Sequence, residues 1–235
     1  MRRWAMVVPF KGAADAKSRL SGSLDDGERA AIALAFLVDT VSAVSRVPAV
    51  TSVIVVSNQP GLAALLGSET RVIADPGGGI NAAVASGLAL ARADAPDVDT
   101  AAITGDLAAL RPADLAEAFA LAEAAATTGA QLAFVPDREG SGTTMVAFTP
   151  GAHAPTRFGI GSCAAHTAAG YLPLAVPAES SLRLDIDDAD DLERARLLGV
   201  GAATRAVLEQ RVRPRSSDPA TRPAHAPGAG RGRAR

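Results

Sequence analysis

The chain has 235 residues, 48% of them hydrophobic and 20% charged, which is enough for one α/β domain with a full core. Its net charge of −2 hides an asymmetry: residues 211–235 hold seven Arg against one Asp, and the remaining 16 cations against 24 acids leave residues 1–210 at −8. An acidic domain argues against a nucleic-acid reader, which needs a basic face, and the single Cys163 excludes an internal disulfide and cannot form a zinc site by itself.

That cysteine usage fits a reducing cytosol, so any metal is expected to be a hard cation held by oxygen. The basic start Met1-Arg2-Arg3 precedes an apolar run too short for a signal segment. No run approaches the ~20 apolar residues of a membrane span. The expectation is a soluble, cytoplasmic protein with one domain over 1–210 and a disordered Arg/Pro/Gly tail over 211–235.

Val7-Val8-Pro9-Phe10 reads as a first strand, followed by a small-residue loop that carries Lys11, Lys17 and Arg19. Those cations are either solvated surface charge or, from their place at a strand's carboxyl end, phosphate contacts. Asp25 with Glu28 three positions on predicts a capped helix, continued by Ile32, Phe36, Val41 and Val44 at helical spacing. Thr51–Ser57 is the clearest β run and is expected to be a central strand. Arg71–Ala74 is a shorter strand that enters Asp75-Pro76-Gly77-Gly78-Gly79-Ile80-Asn81 and a helix to about Arg92. Three glycines before a helix form either a flexible turn or a backbone N–H cradle. They do not make the G-x-G-x-x-G fingerprint of a dinucleotide site.

Ala101–Leu107 is an apolar run ending in Asp106. Asp106 either caps the turn before Arg111-Pro112 or stands at a site mouth beyond a parallel strand. Pro112 suits the first turn of a helix to about Thr128, and Leu132–Val135 is the next strand. Two Gly/Ser/Thr loops follow, Gly140–Thr144 before the strand Met145–Phe148 and Arg157–Ser162 before a short helix over 163–169. Either loop could be a turn or could offer hydroxyls and N–H groups to an anion. His166, one turn from Ser162, is expected to be structural. Leu182–Asp188 is read as a strand whose alternation sends Asp185 and Asp187 to one face, where two carboxylates call for a cation such as Mg²⁺. Helix capping accounts for one of Asp187 and Asp188. The alternation of strands and helices implies an α/β sandwich, a mostly parallel sheet covered on both faces.

Together these pieces are equipment for holding a nucleoside triphosphate through Mg²⁺. At the same residues the chain resembles the nucleotidyltransferase-type guanylyltransferases of coenzyme F420 biosynthesis, which act on phosphoenolpyruvate or 2-phospho-L-lactate. The likeness runs from about residue 5 to 205, through Pro9–Lys11, Ala16–Leu20, Asp75–Ala83, Gly105–Leu107, Gly140–Thr144, Arg157–Ser162 and Asp185–Asp187. It implies a three-layer α/β/α, Rossmann-like nucleotidyltransferase fold and transfer of GMP from GTP to phosphoenolpyruvate. On the resemblance, Asp106, Asp185 and Asp187 hold Mg²⁺, with Lys17, Arg19 and Asp106 as the catalytic set. Lys11, Lys17, Gly77, Gly78, Gly79 and Asn81 contact GTP, and Thr144, Gly159 and Ser162 contact phosphoenolpyruvate. Other phosphorylated acids, a sugar or molybdopterin nucleotidyltransferase, and a non-catalytic GTP-binding module stay open, as do monomer and dimer.

Overall fold

The structure, a computed structural model, describes residues 2–12 and 25–212. In chain order the elements are β1 (Trp4–Pro9), α1 (Asp26–Ser45), β2 (Val50–Val56), α2 (Leu62–Leu66), β3 (Thr70–Ile73), α3 (Ile80–Asp94), β4 (Asp99–Ile103) and α4 (Pro112–Thr127). They continue with β5 (Leu132–Pro136), β6 (Thr143–Phe148), α5 (Ser162–Ala168), β7 (Leu172–Pro173), a 3-10 turn (Ser181–Arg183), α6 (Ala189–Leu198) and α7 (Ala202–Val212). α7 therefore continues two residues into the segment whose composition reads as tail. Among the described residues, no helix is long and apolar enough to cross a membrane.

Among the described residues, seven strands lie in one sheet in the order β3-β2-β1-β4-β6-β5-β7. All pairings are parallel except those of β6 with β4 and β5. That exception follows from chain length: only residues 137–142 separate β5 from β6, whereas a parallel crossover needs a dozen or more. β2, the strongest β run, is not central as expected; it stands second from the edge, and β4, which leads to Asp106, occupies the middle.

Alternation along each strand builds a core on either face. Met6, Val8, Val55, Ile103, Val135 and Met145 face α1, α2 and α4, while Val7, Val56, Ala102, Phe134 and Val146 face α3. α3 approaches β1 so closely that a Cβ on Gly87 would lie 2.4 Å from Val7 Cγ1, which is why a glycine interrupts that helix. The capping box expected at α1 is present, with Asp25 accepting from Glu28 N and Glu28 accepting from Asp25 N. A third core joins Ile32 and Phe36 of α1 to Ala108, Leu184, Ile186 and Ala195, fastening α6 beside the carboxyl end of β4.

The strand expected over Leu182–Asp188 does not form. Ser180 Oγ caps a single 3-10 turn by accepting from Leu182 N, and Arg183 donates to the backbone oxygens of Asp137 and Val176. The alternation survives in the extended segment that follows: Leu184 and Ile186 are buried, Asp185 is half-buried and Asp187 is exposed.

Candidate active site

Asp106 lies three residues beyond the end of β4, and three hydrogen bonds donated by backbone N–H groups fix its neighbourhood. Leu107 N donates to Thr40 Oγ1 at 3.1 Å, Ile186 N donates to Asp106 O at 3.2 Å, and Gly201 N donates to Ala108 O at 2.9 Å. The second of these brings the Leu184–Asp187 segment against Asp106. As a result, oxygens of Asp106, Asp185 and Asp187 all lie within 4.8 Å of one another. Burial first, then the Asp106 and Asp187 carboxylates, push the Asp185 carboxyl up to about 8. Three hard oxygen donors that repel one another at this range suit a divalent cation such as Mg²⁺. Asp188 stays outside the cluster: its carboxylate caps α6 by accepting from Asp190 N and Asp191 N, which holds its pKa down.

Asp185 is also shared with a second acidic group, Asp137 and Glu139, at the same spacing. Residue reading missed Asp137. Its two carboxylate oxygens accept from Ser141 N and Gly142 N, at 2.9 and 2.6 Å, and so shape the first Gly/Ser/Thr loop. The local signal was available, because Asp137 opens the turn sequence Asp137-Arg138-Glu139-Gly140, and Asp in a turn accepts from the backbone that follows it.

A cavity of about 180 Å³ opens beside Asp106, lined by Phe10, Lys11, Phe36, Ile80 and Thr104 among others. It therefore spans the loop after β1, the first residue of α3 and the end of β4. Lys11 is part of its lining; Lys17 and Arg19 lie outside the described residues. Thr104 was not singled out from the sequence, yet it is half-buried at the cavity wall and its hydroxyl has no hydrogen-bond partner among the described residues.

Gly77, Gly78 and Gly79 have φ of 80°, 85° and 90°, values that disfavour any side chain. Asn58 holds the start of this loop by pairing its amide with Asp75 N and O, and Asp75 Oδ1 accepts from Gly77 N. The loop leads into the first turn of α3, whose leading N–H groups have no partners within a helix. Asn81, expected to contact GTP, has its side chain hydrogen-bonded within the protein. Its Oδ1 accepts from Thr156 Oγ1 and Phe158 N, and its Nδ2 donates to Phe158 O. The side chain is thus committed to the second Gly/Ser/Thr loop.

The three expected acceptor contacts fall on neighbouring elements. Thr144, fully buried on β6, accepts Thr104 N on its backbone oxygen at 2.9 Å, and its hydroxyl has no partner among the described residues. Gly159, with φ of 131°, and Gly161 flank the fully exposed Ile160, and Ser162 begins α5. Cys163 N donates to Ser141 O, joining the two loops. His166 is structural, as expected. Arg157 N donates to its Nε2, so Nδ1 carries the hydrogen that meets Thr143 Oγ1 at 3.0 Å. Burial holds this imidazole below its ordinary range, which keeps it neutral.

The family model described as "Guanylyl transferase CofC like" matches residues 4–220. A Streptomyces coelicolor protein named phosphoenolpyruvate guanylyltransferase is 46% identical over 209 residues, covering 87% of this chain and 95% of the relative. One of the same name from Salinispora arenicola is 44% identical over 203 residues, covering 86% and 91%. Among solved structures, a chain described as a nucleotide-diphospho-sugar transferase from Desulfovibrio desulfuricans G20 superposes with a TM-score of 0.67 at 17% identity, covering 90% of this chain and 96% of that one. A nucleotidyl transferase from Methanothermobacter gives 0.54 at 18% identity, covering 88% and 99%. At those identities the structures speak for the nucleotidyltransferase fold only, whereas the family match spans nearly the whole domain. The chain belongs to the CofC-like guanylyl transferase family.

Proposed function

We propose that this enzyme transfers GMP from GTP to phosphoenolpyruvate in the cytoplasm, giving enolpyruvyl-diphospho-5'-guanosine and pyrophosphate as a step of coenzyme F420 biosynthesis. The observation that carries the reading is the meeting of Asp106, Asp185 and Asp187 beside the cavity that Lys11 and the start of α3 enclose. The names of the relatives support guanylyl transfer and phosphoenolpyruvate as acceptor.

In the reaction an acceptor phosphate oxygen bonds to the α-phosphorus of GTP while the bond from that phosphorus to the bridging oxygen breaks, and pyrophosphate leaves with the electron pair. The attacking oxygen is already ionised near neutral pH, so the chain needs no general base, and its work is positioning and charge balance. Asp106, Asp185 and Asp187 would hold Mg²⁺, which supplies neutralisation of the phosphate charge when bound. Lys11 offers a cation to the triphosphate. Lys17 and Arg19, on the connection that leaves the carboxyl end of β1, serve the departing pyrophosphate. Gly77–Gly79 let the nucleotide approach backbone N–H groups, and the orphan hydroxyl of Thr144 with the loop Gly159–Ser162 receives the acceptor.

Pyrophosphate release measured across GTP, ATP and CTP, each with phosphoenolpyruvate, 2-phospho-L-lactate or 3-phosphoglycerate, tests the reading. Release that needs both GTP and phosphoenolpyruvate is expected. Release only with a sugar phosphate would move the chain to another acceptor class, and GTP binding without release would make it a binding module. Residues 213–235 include none of the residues assigned above to this chemistry, so truncation after Val212 should leave kcat/KM unchanged.

A further inference from the structure

We propose that Asn81 is a positioning residue that couples the nucleotide loop to the acceptor loop, so that GTP binding orders the acceptor site. The proposal rests on the reading that Gly77–Gly79 meet the nucleotide and Gly159–Ser162 the acceptor.

Asn81 is the second residue of α3, two positions beyond the glycine run. Its amide closes on residues about 77 positions away: Phe158 N to Oδ1 at 2.9 Å, Nδ2 to Phe158 O at 2.9 Å, and Thr156 Oγ1 to Oδ1 at 2.8 Å. Pairing with both backbone groups of Phe158 fixes the plane of that backbone as a strand neighbour would. On the far side, His166 Nε2 accepts from Arg157 N at 2.9 Å, and the buried Phe158 ring stands edge-on to the imidazole at 5.6 Å. Residues 156–158 are thus gripped from α3 on one side and α5 on the other. Gly159 is the first residue past the grip.

The glycine run has the opposite character. It carries no side chains of its own, and without Cβ atoms its residues have more backbone conformations open to them than other residues do. Asn58 secures its entry through Asp75, and the first turn of α3 forms its exit. A nucleotide seated on these N–H groups fixes that first turn, and with it the position of Asn81 and the backbone of Phe158. Coupling of this kind is reciprocal: whatever factor GTP gains for the acceptor, the acceptor gains for GTP. Entropy supplies the mechanism, because the second ligand meets a loop that the first has already ordered.

Hydrogen exchange of the full chain with and without GTP and Mg²⁺ provides the test, read at peptides spanning 75–82 and 156–162 in wild type, Asn81→Ala and Thr156→Val. In wild type GTP should slow exchange in both peptides. In Asn81→Ala slowing should persist at 75–82 and vanish at 156–162, and Thr156→Val, which keeps both Phe158 bonds, should weaken the second effect without abolishing it. Steady-state kinetics of Asn81→Ala should show the phosphoenolpyruvate KM at saturating GTP and the GTP KM at saturating phosphoenolpyruvate raised together, each about tenfold. Slowing at 156–162 that survives in Asn81→Ala, or a raised GTP KM with an unchanged acceptor KM, overturns the coupling and leaves the reaction standing. Absence of slowing at 75–82 in wild type overturns the reading of the glycine loop and the coupling with it.

Discussion

The hydroxyl of Thr40, in the last third of α1, accepts the backbone N–H of Leu107, the residue after Asp106, and donates to Phe36 O at 2.8 Å. Both groups are buried, so the hydroxyl satisfies an N–H that no water can reach and fixes the turn from which the Asp106 carboxylate projects. Thr40→Val keeps the shape and leaves that N–H unpaired, which should cost about 1–3 kcal/mol of stability. It should also raise the Mg²⁺ concentration needed for half-maximal activity, and Thr40→Ser should restore both. Thermal melts and Mg²⁺ titrations of activity check this; an unchanged Mg²⁺ dependence would remove Thr40 from the support of the site.

Asp106→Asn and Asp187→Asn each remove a carboxylate from the three-acid cluster without changing its size. Turnover should fall well over tenfold in each, with melting temperatures near wild type. Asp188→Asn should change turnover little, since Asn also caps a helix and Asp188 accepts only from the first turn of α6. Near-wild-type rates for either of the first two at saturating Mg²⁺ would contradict their assignment.

Thr144→Ala and Ser162→Ala should mainly raise the KM for the phosphorylated acid, by a factor corresponding to roughly 1–2 kcal/mol each, for a lost hydrogen bond to a charged group. Because the Thr144 hydroxyl has no partner among the described residues, Thr144→Ala breaks no internal hydrogen bond of that side chain, and its cost in stability should be no more than the about 1 kcal/mol of a lost buried methyl. A shift in the GTP KM alone would assign these positions to the nucleotide.

Asp99 gives a pH dependence away from the site. Burial, opposed by Arg2 at 2.7 Å and reinforced by Glu123, raises its pKa to about 6. The folded chain therefore binds this proton more tightly than the unfolded chain does. The stability it contributes is fully present below about pH 4 and is lost as pH rises through about 6, a loss on the order of 1–3 kcal/mol. Asp99→Asn should flatten that fall, so melting temperatures from pH 4 to 8 should show the variant gaining on wild type as pH rises. Parallel curves would refute it.

Much of this architecture was legible in the sequence because its signals are local. The Asp25/Glu28 capping box, the Thr51–Ser57 run, the glycine triplet before α3 and the acid after β4 each state their structure within a few residues. Even where the strand over Leu182–Asp188 failed, alternation still separated Leu184 and Ile186 from Asp185 and Asp187, because period-two geometry belongs to any extended chain. What local pattern could not carry were pairings across long separations. Nothing near Asn81 announces that its amide faces Phe158, and nothing near Thr40 announces Leu107. Asp137 lies between these cases: its turn was visible, but its approach to Asp185 depends on Arg183 drawing the two segments together.

Mass spectrometry of the products formed from GTP and phosphoenolpyruvate with Mg²⁺ tests the assignment of the reaction most directly. The prediction is one new species with the mass of GMP joined to phosphoenolpyruvate through a diphosphate, formed in equal amount with pyrophosphate and absent when Asp106 is replaced by Asn. Formation of no guanylylated product with phosphoenolpyruvate, 2-phospho-L-lactate or 3-phosphoglycerate would contradict it.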